Sequence, residues 1–523
     1  MKRQIFMKNA VIMTITAILL RTIGIFFRIY LSNRIGAEGM GLYQLIFSIY
    51  VLASTFASAG ICTAVARLIT DELVCGTVKS VKRILRRSVW LNILIGVTSA
   101  AILYVAAEPI CRYFLKDMRA LPSLKVLGVS LPFMGIHSCL RGYFMARRKT
   151  ALPSAAQISE QVIRIAVIVL LLRYMGGQDA TYTCLAVILG DCTAEIVSCF
   201  ISYCGYLCDK RKLRGLTSPR MVCQKPSHGI LYRIAAIAVP ITAGRYLNSG
   251  LRTVENIMVP HKLTAFNGSV EASLSQFGML KGMVLPLLFF PSSFLSSLST
   301  LLIPELSEAH TLGQKAKVNR SVTTVLQVTL WLSVLLSGLF TVFAYDLGDM
   351  LYHSRDVGFL LRVLAPLMPV MYLESIVEGM LKGLNQQVSS LWYGVIDSAG
   401  RIALIVCLVP ASGMGGFLFI MVISNLLTSF LRLNRLLQVT EIRMRWGKWV
   451  IEPCLAVSLA SAVTVLMNRL LFVGILPDVV RVLLGGTVIV CLYMGISMLL
   501  GTVSRKELQS LLFSFSRKQK TAG

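Results

Sequence analysis

The amino-acid sequence predicts an all-α integral membrane protein with about 14 transmembrane helices, arranged as two parallel six-helix repeats plus two C-terminal helices. Three observations favour this class. The 523 residues are 55% hydrophobic and only 15% charged, whereas soluble domains carry roughly 25% charged residues. Apolar runs long enough to cross a bilayer recur along the whole chain. The basic residues are concentrated in alternate connecting segments, as in multi-pass proteins.

Helices are the expected element because lipid offers no hydrogen-bond partner to an exposed backbone, and a helix satisfies its own backbone. At a rise of about 1.5 Å per residue, about 20 residues cross the hydrocarbon core. The predicted spans are 9–33, 40–66, 88–108, 121–146, 153–175, 181–207, 229–256, 276–303, 321–345, 357–382, 388–410, 413–437, 447–471 and 477–501.

The distribution of Lys and Arg predicts the orientation. With the N-terminus in the cytoplasm, 33 of the 52 Lys and Arg residues fall on cytoplasmic segments and 11 on outer segments. Basic residues accumulate on cytoplasmic loops, so we expect a cell-membrane protein with both termini in the cytoplasm. Topology accounts for most of the net charge of +28, which therefore does not indicate a nucleic-acid partner.

The sequence repeats itself with a shift of 237 residues, or 224 residues at the first helix. Matched positions include Pro132 and Pro369, Gly142 and Gly379, Arg164 and Arg401, and Arg21 and Arg245. Each unit holds an even number of helices, so both copies run in the same direction through the membrane. The predicted organisation is an N-terminal lobe at 1–220, a C-terminal lobe at 229–440, two extra helices at 447–501 and a cytoplasmic tail at 502–523.

Eight basic residues are left after the cytoplasmic and outer segments are counted, and each falls inside a predicted span, where a charge costs at least about 2.5 kcal/mol on insertion scales. They are Arg21, Arg28, Arg141, Arg164, Arg245, Arg252, Lys281 and Arg401. Glu160 precedes Arg164 by four residues, and Asp397 precedes Arg401 by four. The acid-first order at this spacing is favourable in a helix, so we predict two structural ion pairs related by the duplication.

The other cations have a different pattern. Arg21 and Arg28 are seven residues apart and share a helical face, and Arg245 and Arg252 repeat this spacing in the second unit. Guanidinium groups offer paired donors that fit phosphate. We predict a cationic cavity for a phosphate or pyrophosphate headgroup; the alternative is that the side chains extend to the membrane surface. The predicted substrate-binding residues are Arg21, Arg28, Arg245, Arg252 and Lys281.

Motifs of enzymes, metal sites and nucleotide-binding sites are not found in the sequence. The five histidines do not cluster, the 13 cysteines form no CxxC pair, and no GxxxxGK[ST] loop occurs. We therefore expect no catalytic residues, no metal ligands and no cofactor.

Three segments carry a family resemblance: ITAILLRTIGIFFRIYLSNRIGAEGMGLYQLIFSIY at 15–50, ARLITDE at 66–72 and LPFMGIHSCLRGYFMARRKTALPSAAQISEQVIRI at 131–165. They resemble the stage V sporulation protein B branch of the oligosaccharide/polysaccharide flippase family. That family lies in the multidrug/oligosaccharidyl-lipid/polysaccharide superfamily, which includes the lipid II flippase MurJ. The resemblance implies two six-helix lobes, alternating access and a polyprenyl-pyrophosphate-linked glycan as cargo, such as a peptidoglycan precursor for the spore cortex. It also implies cavity cations, which Arg21 and Arg28 match.

Two other functions stay open on sequence grounds. A cation-coupled multidrug antiporter of the same superfamily would need unpaired buried acids, for which Asp191, Glu195, Glu374 and Glu378 are the candidates. A non-transporting scaffold could use the basic loop 208–228 to recruit cell-wall synthesis proteins. The expected partners are thus a polyprenyl-pyrophosphate-linked glycan, the lipid bilayer and cell-wall synthesis proteins, without nucleic acid.

Overall fold

The computed structural model describes residues 2–58, 60–74, 78–175, 180–213, 229–293, 295, 306–442, 444–468 and 477–501. Every regular element in these ranges is a helix and none is a strand, which confirms the predicted all-α class. The predicted tail from 502 and most of the basic loop 208–228 lie outside the described residues.

The described ranges contain seventeen α-helices, which are numbered in chain order. The first nine are α1 (Lys2–Ser58), α2 (Ile61–Val74), α3 (Val78–Pro109), α4 (Leu121–Gly128), α5 (Ser130–Ala146), α6 (Ala151–Met175), α7 (Ala180–Leu213), α8 (Ile230–Asn267) and α9 (Val270–Gly278). The others are α10 (Leu285–Phe289), α11 (Lys315–Val342), α12 (Ala344–Tyr352), α13 (Arg355–Leu364), α14 (Met368–Gly383), α15 (Gln387–Thr440), α16 (Glu452–Met467) and α17 (Asp478–Leu499). Described π-helical segments adjoin them at Ile110–Leu115, Met279–Val284 and Gly447–Ile451.

The length and apolar character of the helices are those of a multi-pass membrane protein. Within the described ranges, 11 helices are long and apolar enough to cross a membrane, or 12 if the bent pair Met118–Gly128 and Ser130–Ala146 forms one span. The predicted number of about 14 spans is not fixed by these helices and stays a prediction.

Two very long helices contain a glycine with non-helical backbone angles. In α1 the residue is Gly36, with φ of 72°, and in α15 it is Gly413, with φ of 58°. The left-handed region is open to glycine but costs residues with a Cβ about 1–2 kcal/mol. Each glycine lies where two predicted spans meet, so the backbone bends where the sequence predicts a connection.

The chain divides into two compact units. The first unit is Met1–Met283 with Gly394–Met421, and the second is Val284–Tyr393 with Val422–Gly523. The first unit contains a segment of α15 in addition to α1–α9. The predicted lobes at 1–220 and 229–440 stay a prediction.

Each unit has its own buried core. In the first unit, Val65 of α2, Leu85 of α3 and Tyr143 of α5 belong to one apolar cluster. In the second, α11, α16 and α17 pack together, and the hydroxyl of Tyr493 donates to the carbonyl of Trp331 at 2.8 Å. That bond satisfies the one polar group of a fully buried ring.

In the first unit, α9 packs closely against the part of α1 that follows Gly36. A methyl group at Gly41 would overlap the carbonyl of Leu274, and one at Gly278 would overlap the carbonyl of Ala37. Small residues let two helix backbones approach in this way. Because the π-helical segment with Lys281 directly follows α9, this contact fixes where that lysine lies.

Candidate functional site

The most buried carboxylate near the predicted cations is that of Glu255 on α8, whose side chain is 3% exposed. Its oxygens lie 3.6 Å from Nζ of Lys281 and 3.4 Å from Nη2 of Arg401. Arg401 also lies 3.2 Å from Asp397, one turn earlier on α15. A buried carboxylate with two basic neighbours is the arrangement expected where an unpaired charge would be costly.

Arg252 lies one turn before Glu255 on α8, and its side chain is exposed. It is within electrostatic reach of Lys281, although no ion pair joins it to Glu255 among the described residues. We call Arg252, Glu255, Lys281, Asp397 and Arg401 the Glu255 cluster. It holds three cations and two carboxylates, so its formal charge is positive.

The remaining predicted binding residues lie elsewhere in the first unit. On α1, Arg21 is exposed and Arg28 is partly buried within electrostatic reach of Tyr43. On α8, Arg245 is exposed and, like Arg141, within electrostatic reach of Cys62. Over the described residues, neither Arg28 nor Arg245 forms a hydrogen bond or ion pair. The structure thus brings Arg252 and Lys281 together, while one common cavity for all five predicted residues stays a prediction.

A second charged cluster surrounds Arg164 on α6. The guanidinium group lies 2.8 Å from Glu160, one turn earlier, and 2.8 Å from Asp191 on α7. Nη1 of Arg164 also donates to Oε1 of Gln161 at 2.9 Å. These contacts tie α6 to α7 through one side chain whose paired donors suit two carboxylates.

The two duplicated arginines share one arrangement. Arg164 and Arg401 each contact the acid four residues before them, at 2.8 Å and 3.2 Å. Each also contacts a carboxylate on a different helix, Asp191 for Arg164 and Glu255 for Arg401. The sequence predicts the near partners from their spacing, whereas the distant partners carry no sequence signal. The structural role of the pairs stays a prediction.

Beside Arg164 lies a group of three residues that the sequence did not bring together. Three possible ligand atoms lie within 4.8 Å of one another: one ring nitrogen of His137 and one carboxylate oxygen from each of Glu160 and Glu195. These atoms are close enough to hold a cation. Ser198 contacts Nδ1 of His137 at 3.1 Å. Glu195 is only 9% exposed and, within the described ranges, makes no hydrogen bond or ion pair. The three residues lie on α5, α6 and α7, so no local spacing could have revealed them.

The geometry can be compared with known proteins. The sequence pattern of a family described as polysaccharide biosynthesis protein matches residues 6–310, more than half of the chain. The chain belongs to this polysaccharide biosynthesis protein family. The match begins in α1 and includes Glu255 and Lys281.

Curated relatives in Bacillus subtilis (strain 168) resemble this family member over most of their length. Stage V sporulation protein B is 24% identical over 460 residues, which are 86% of this chain and 87% of the relative. Lipid II flippase MurJ is 22% identical over 460 residues, or 82% of each chain. The predicted kinship with the stage V sporulation protein B branch is thereby confirmed. The first of these names describes sporulation and the second transport.

Solved structures show the same fold. Lipid II flippase MurJ in an inward closed conformation matches with a TM-score of 0.68 and 13% identity, covering 94% of this chain and 98% of that one. An inward-facing multidrug transporter of the superfamily matches with a TM-score of 0.64 and 14% identity, covering 83% of this chain and all of the other. The family member described here thus has the fold of membrane transporters and is homologous to a named flippase.

Proposed function

We propose that this chain is a flippase for a lipid-linked glycan in the cell membrane, and that it recognises the polyprenyl-pyrophosphate of its cargo. The observation that carries the proposal is the Glu255 cluster, in which three cations surround two carboxylates inside the first unit. A pyrophosphate group supplies the negative charge that this cluster lacks, and guanidinium donors fit its oxygens.

The relatives support this choice of cargo. One is named a lipid II flippase and another a stage V sporulation protein. We propose a peptidoglycan precursor for the spore cortex as the glycan, and alternating access of lobes at 1–220 and 229–440 as the movement. Both termini lie in the cytoplasm in this scheme. Cell-wall synthesis proteins would supply or receive the cargo.

In this scheme, arginines on α8 and α1 give the cargo a path to the cluster. Arg245 and Arg252 are seven residues apart on α8, so both lie on the same face of that helix. Arg21 and Arg28 have the same spacing on α1. In this scheme the pyrophosphate is exchanged among these side chains and reaches Lys281. Because moving one charge through 100 mV involves about 2.3 kcal/mol, an inside-negative membrane potential favours the outward movement of the anionic headgroup.

The proposal is tested by translocation in vesicles that contain the purified full-length chain. The substrate is a fluorescent polyprenyl-pyrophosphate disaccharide, and its appearance on the opposite leaflet is measured with an impermeant modifying enzyme. The double variant Arg245→Ala with Arg252→Ala is expected to slow translocation at least tenfold. Arg173→Ala removes an equally exposed arginine at the end of α6 and serves as the matched control. Wild-type rates in the correctly folded double variant would overturn the assignment.

A second candidate function rests on Glu195. A buried carboxylate without a hydrogen bond or ion pair to any described residue, next to His137 and Glu160, suits a cation-coupled multidrug antiporter. One comparison of dye efflux with translocation of the glycan lipid distinguishes the two functions. For the antiporter, Glu195→Gln abolishes ion-dependent efflux of a cationic dye and wild-type protein does not translocate the glycan lipid. For the flippase, wild-type protein translocates the glycan lipid and no dye efflux occurs.

A further inference from the structure

A cavity of about 820 Å³ lies among α3, α5 and α7, and neither Glu255 nor Arg164 lines it. Its volume is within the usual range of small-molecule sites. The basic residues of its wall are Lys79, Lys82, Arg83, Arg86 and Lys210, and no acidic residue among those that the structure describes lines it. None of these five cations forms an ion pair with a carboxylate in the part of the chain that the structure describes. The described carboxylates therefore leave this group of charges unbalanced.

The cations and apolar residues follow each other in order along α3. The lining positions of this helix repeat at intervals of three and four residues, so they form one face. From Lys79 to Arg86 this lining holds four cations and Leu85, and from Val89 through Trp90 to Ile93 it is apolar. At about 1.5 Å per residue, the whole face extends over about 21 Å.

The opposite wall has the same order. On α7, Lys210 lies at the end of the cavity lining, followed by Tyr206 and Tyr203 and then by Phe200 and Ile196. The predicted topology places the start of α3 and the end of α7 on the cytoplasmic side, so both helices carry their lining cations at that end. The two tyrosines lie between charged and apolar residues, as at the interface of a membrane.

The third wall is entirely apolar. It consists of Phe133, Ile136 and Leu140, which lie on one face of α5 at helical spacing. The cavity thus has a cationic end and an apolar end, separated by tyrosines, along the direction of the helices.

We propose that this cavity binds an anionic phospholipid, which is a ligand separate from the transported glycan. The phosphate lies among Lys82, Arg83 and Arg86, and an acyl chain lies along Trp90 and the apolar wall of α5. Anionic lipids are attracted by clustered Lys and Arg next to a spanning helix. The basic end also belongs to the side that the sequence predicts to be cytoplasmic.

Trp90 allows a direct test because it lines the cavity and is 67% exposed. The full-length chain is reconstituted into phosphatidylcholine vesicles with increasing fractions of brominated phosphatidylglycerol or brominated phosphatidylcholine. The contribution of Trp90 to fluorescence is obtained by subtracting the signal of Trp90→Phe. We expect brominated phosphatidylglycerol to give half-maximal quenching at a mole fraction at least threefold lower than brominated phosphatidylcholine does.

The variant Lys82→Gln with Arg83→Gln and Arg86→Gln is expected to lose this preference. Arg87→Gln is the matched control, because Arg87 is exposed on the same helix but does not line the cavity. If the triple variant does not fold, Arg83→Gln with Arg86→Gln replaces it. Equal quenching of the wild type by both lipids, or an unchanged preference in the charge variants, would overturn the proposal. The measurement needs no transport, so its outcome is independent of the proposed flippase activity.

Discussion

Glu255 on α8 lies 3.6 Å from the ammonium group of Lys281, which belongs to the π-helical segment after α9. The other oxygen of the same carboxylate contacts Arg401 at 3.4 Å. Neither partner lies next to Glu255 in the sequence. The contact therefore joins three separate parts of the first unit and depends on how α9 packs against α1.

Replacement of Glu255 by Gln is expected to destabilise the protein. The substitution keeps the shape but leaves Lys281 and Arg401, whose side chains are 21% and 19% exposed, without this carboxylate. Breaking a buried pair by removing one partner typically costs about 3–5 kcal/mol. A lower midpoint of thermal unfolding of the purified protein in detergent is the expected result.

The control for this variant is Glu441→Gln. Glu441 pairs with Lys315 at 3.3 Å, but the two side chains are 72% and 80% exposed, and such pairs contribute about 0–1 kcal/mol. Adding Lys281→Met to Glu255→Gln should recover part of the lost stability, since coupled neighbours are not additive. Equal unfolding midpoints for Glu255→Gln and Glu441→Gln would contradict the importance of the buried contact.

At Arg164, Lys is expected to be a poor replacement. The arginine reaches Glu160 and Asp191 from two sides at 2.8 Å each, and a lysine cannot present the same planar set of donors. We expect Arg164→Lys to lower the unfolding midpoint and Arg164→Ala to lower it further. Arg401→Lys gives the comparison within the duplicated arrangement. Unchanged stability of Arg164→Ala would show that the pair of contacts is not structural.

Small size at Gly278 is expected to be essential for the contact between α1 and α9. A methyl group there would overlap the carbonyl of Ala37, and overpacking of this kind typically costs about 1–3 kcal/mol. Gly278→Ala should therefore reduce the unfolding midpoint. Gly400→Ala is the control, because no atom lies within 4 Å of the added methyl group. The contact would be in doubt if both variants had the same stability.

At Gly36, the effect of backbone conformation on stability can be tested separately from the effect of packing. A methyl group at this position meets no atom within 4 Å, but φ is 72°. Gly36→Ala is expected to cost about 1–2 kcal/mol through backbone strain alone. The midpoint of thermal unfolding should fall for Gly36→Ala and not for Gly400→Ala. An equal change of the midpoint in both variants would contradict the strain.

Local regularities in the sequence were sufficient for the helical class and for the near partners in the ion pairs. Apolar runs define helices because lipid requires internal backbone bonds, and Glu160 lies one turn from Arg164 by spacing alone. The contact of Lys281 with Glu255 was beyond prediction, because it depends on which helices pack together. The same holds for His137, Glu160 and Glu195, which only the packing of α5, α6 and α7 brings into one place.

The π-helical turn at Met279–Val284 has a consequence for how this chain tolerates change. A π-helical turn has a wider hydrogen-bonding pattern than an α-helical turn, and such turns interrupt the regular register of a helix. Because a π-helical turn holds one residue more than an α-helical turn, deleting one residue here would restore an ordinary α-helix and leave the orientation of the flanking helical segments largely unchanged. Homologous sequences should therefore tolerate the loss of one residue in this stretch more readily than in a regular α-helical segment, where the same loss would rotate the flanking side chains by about 100°.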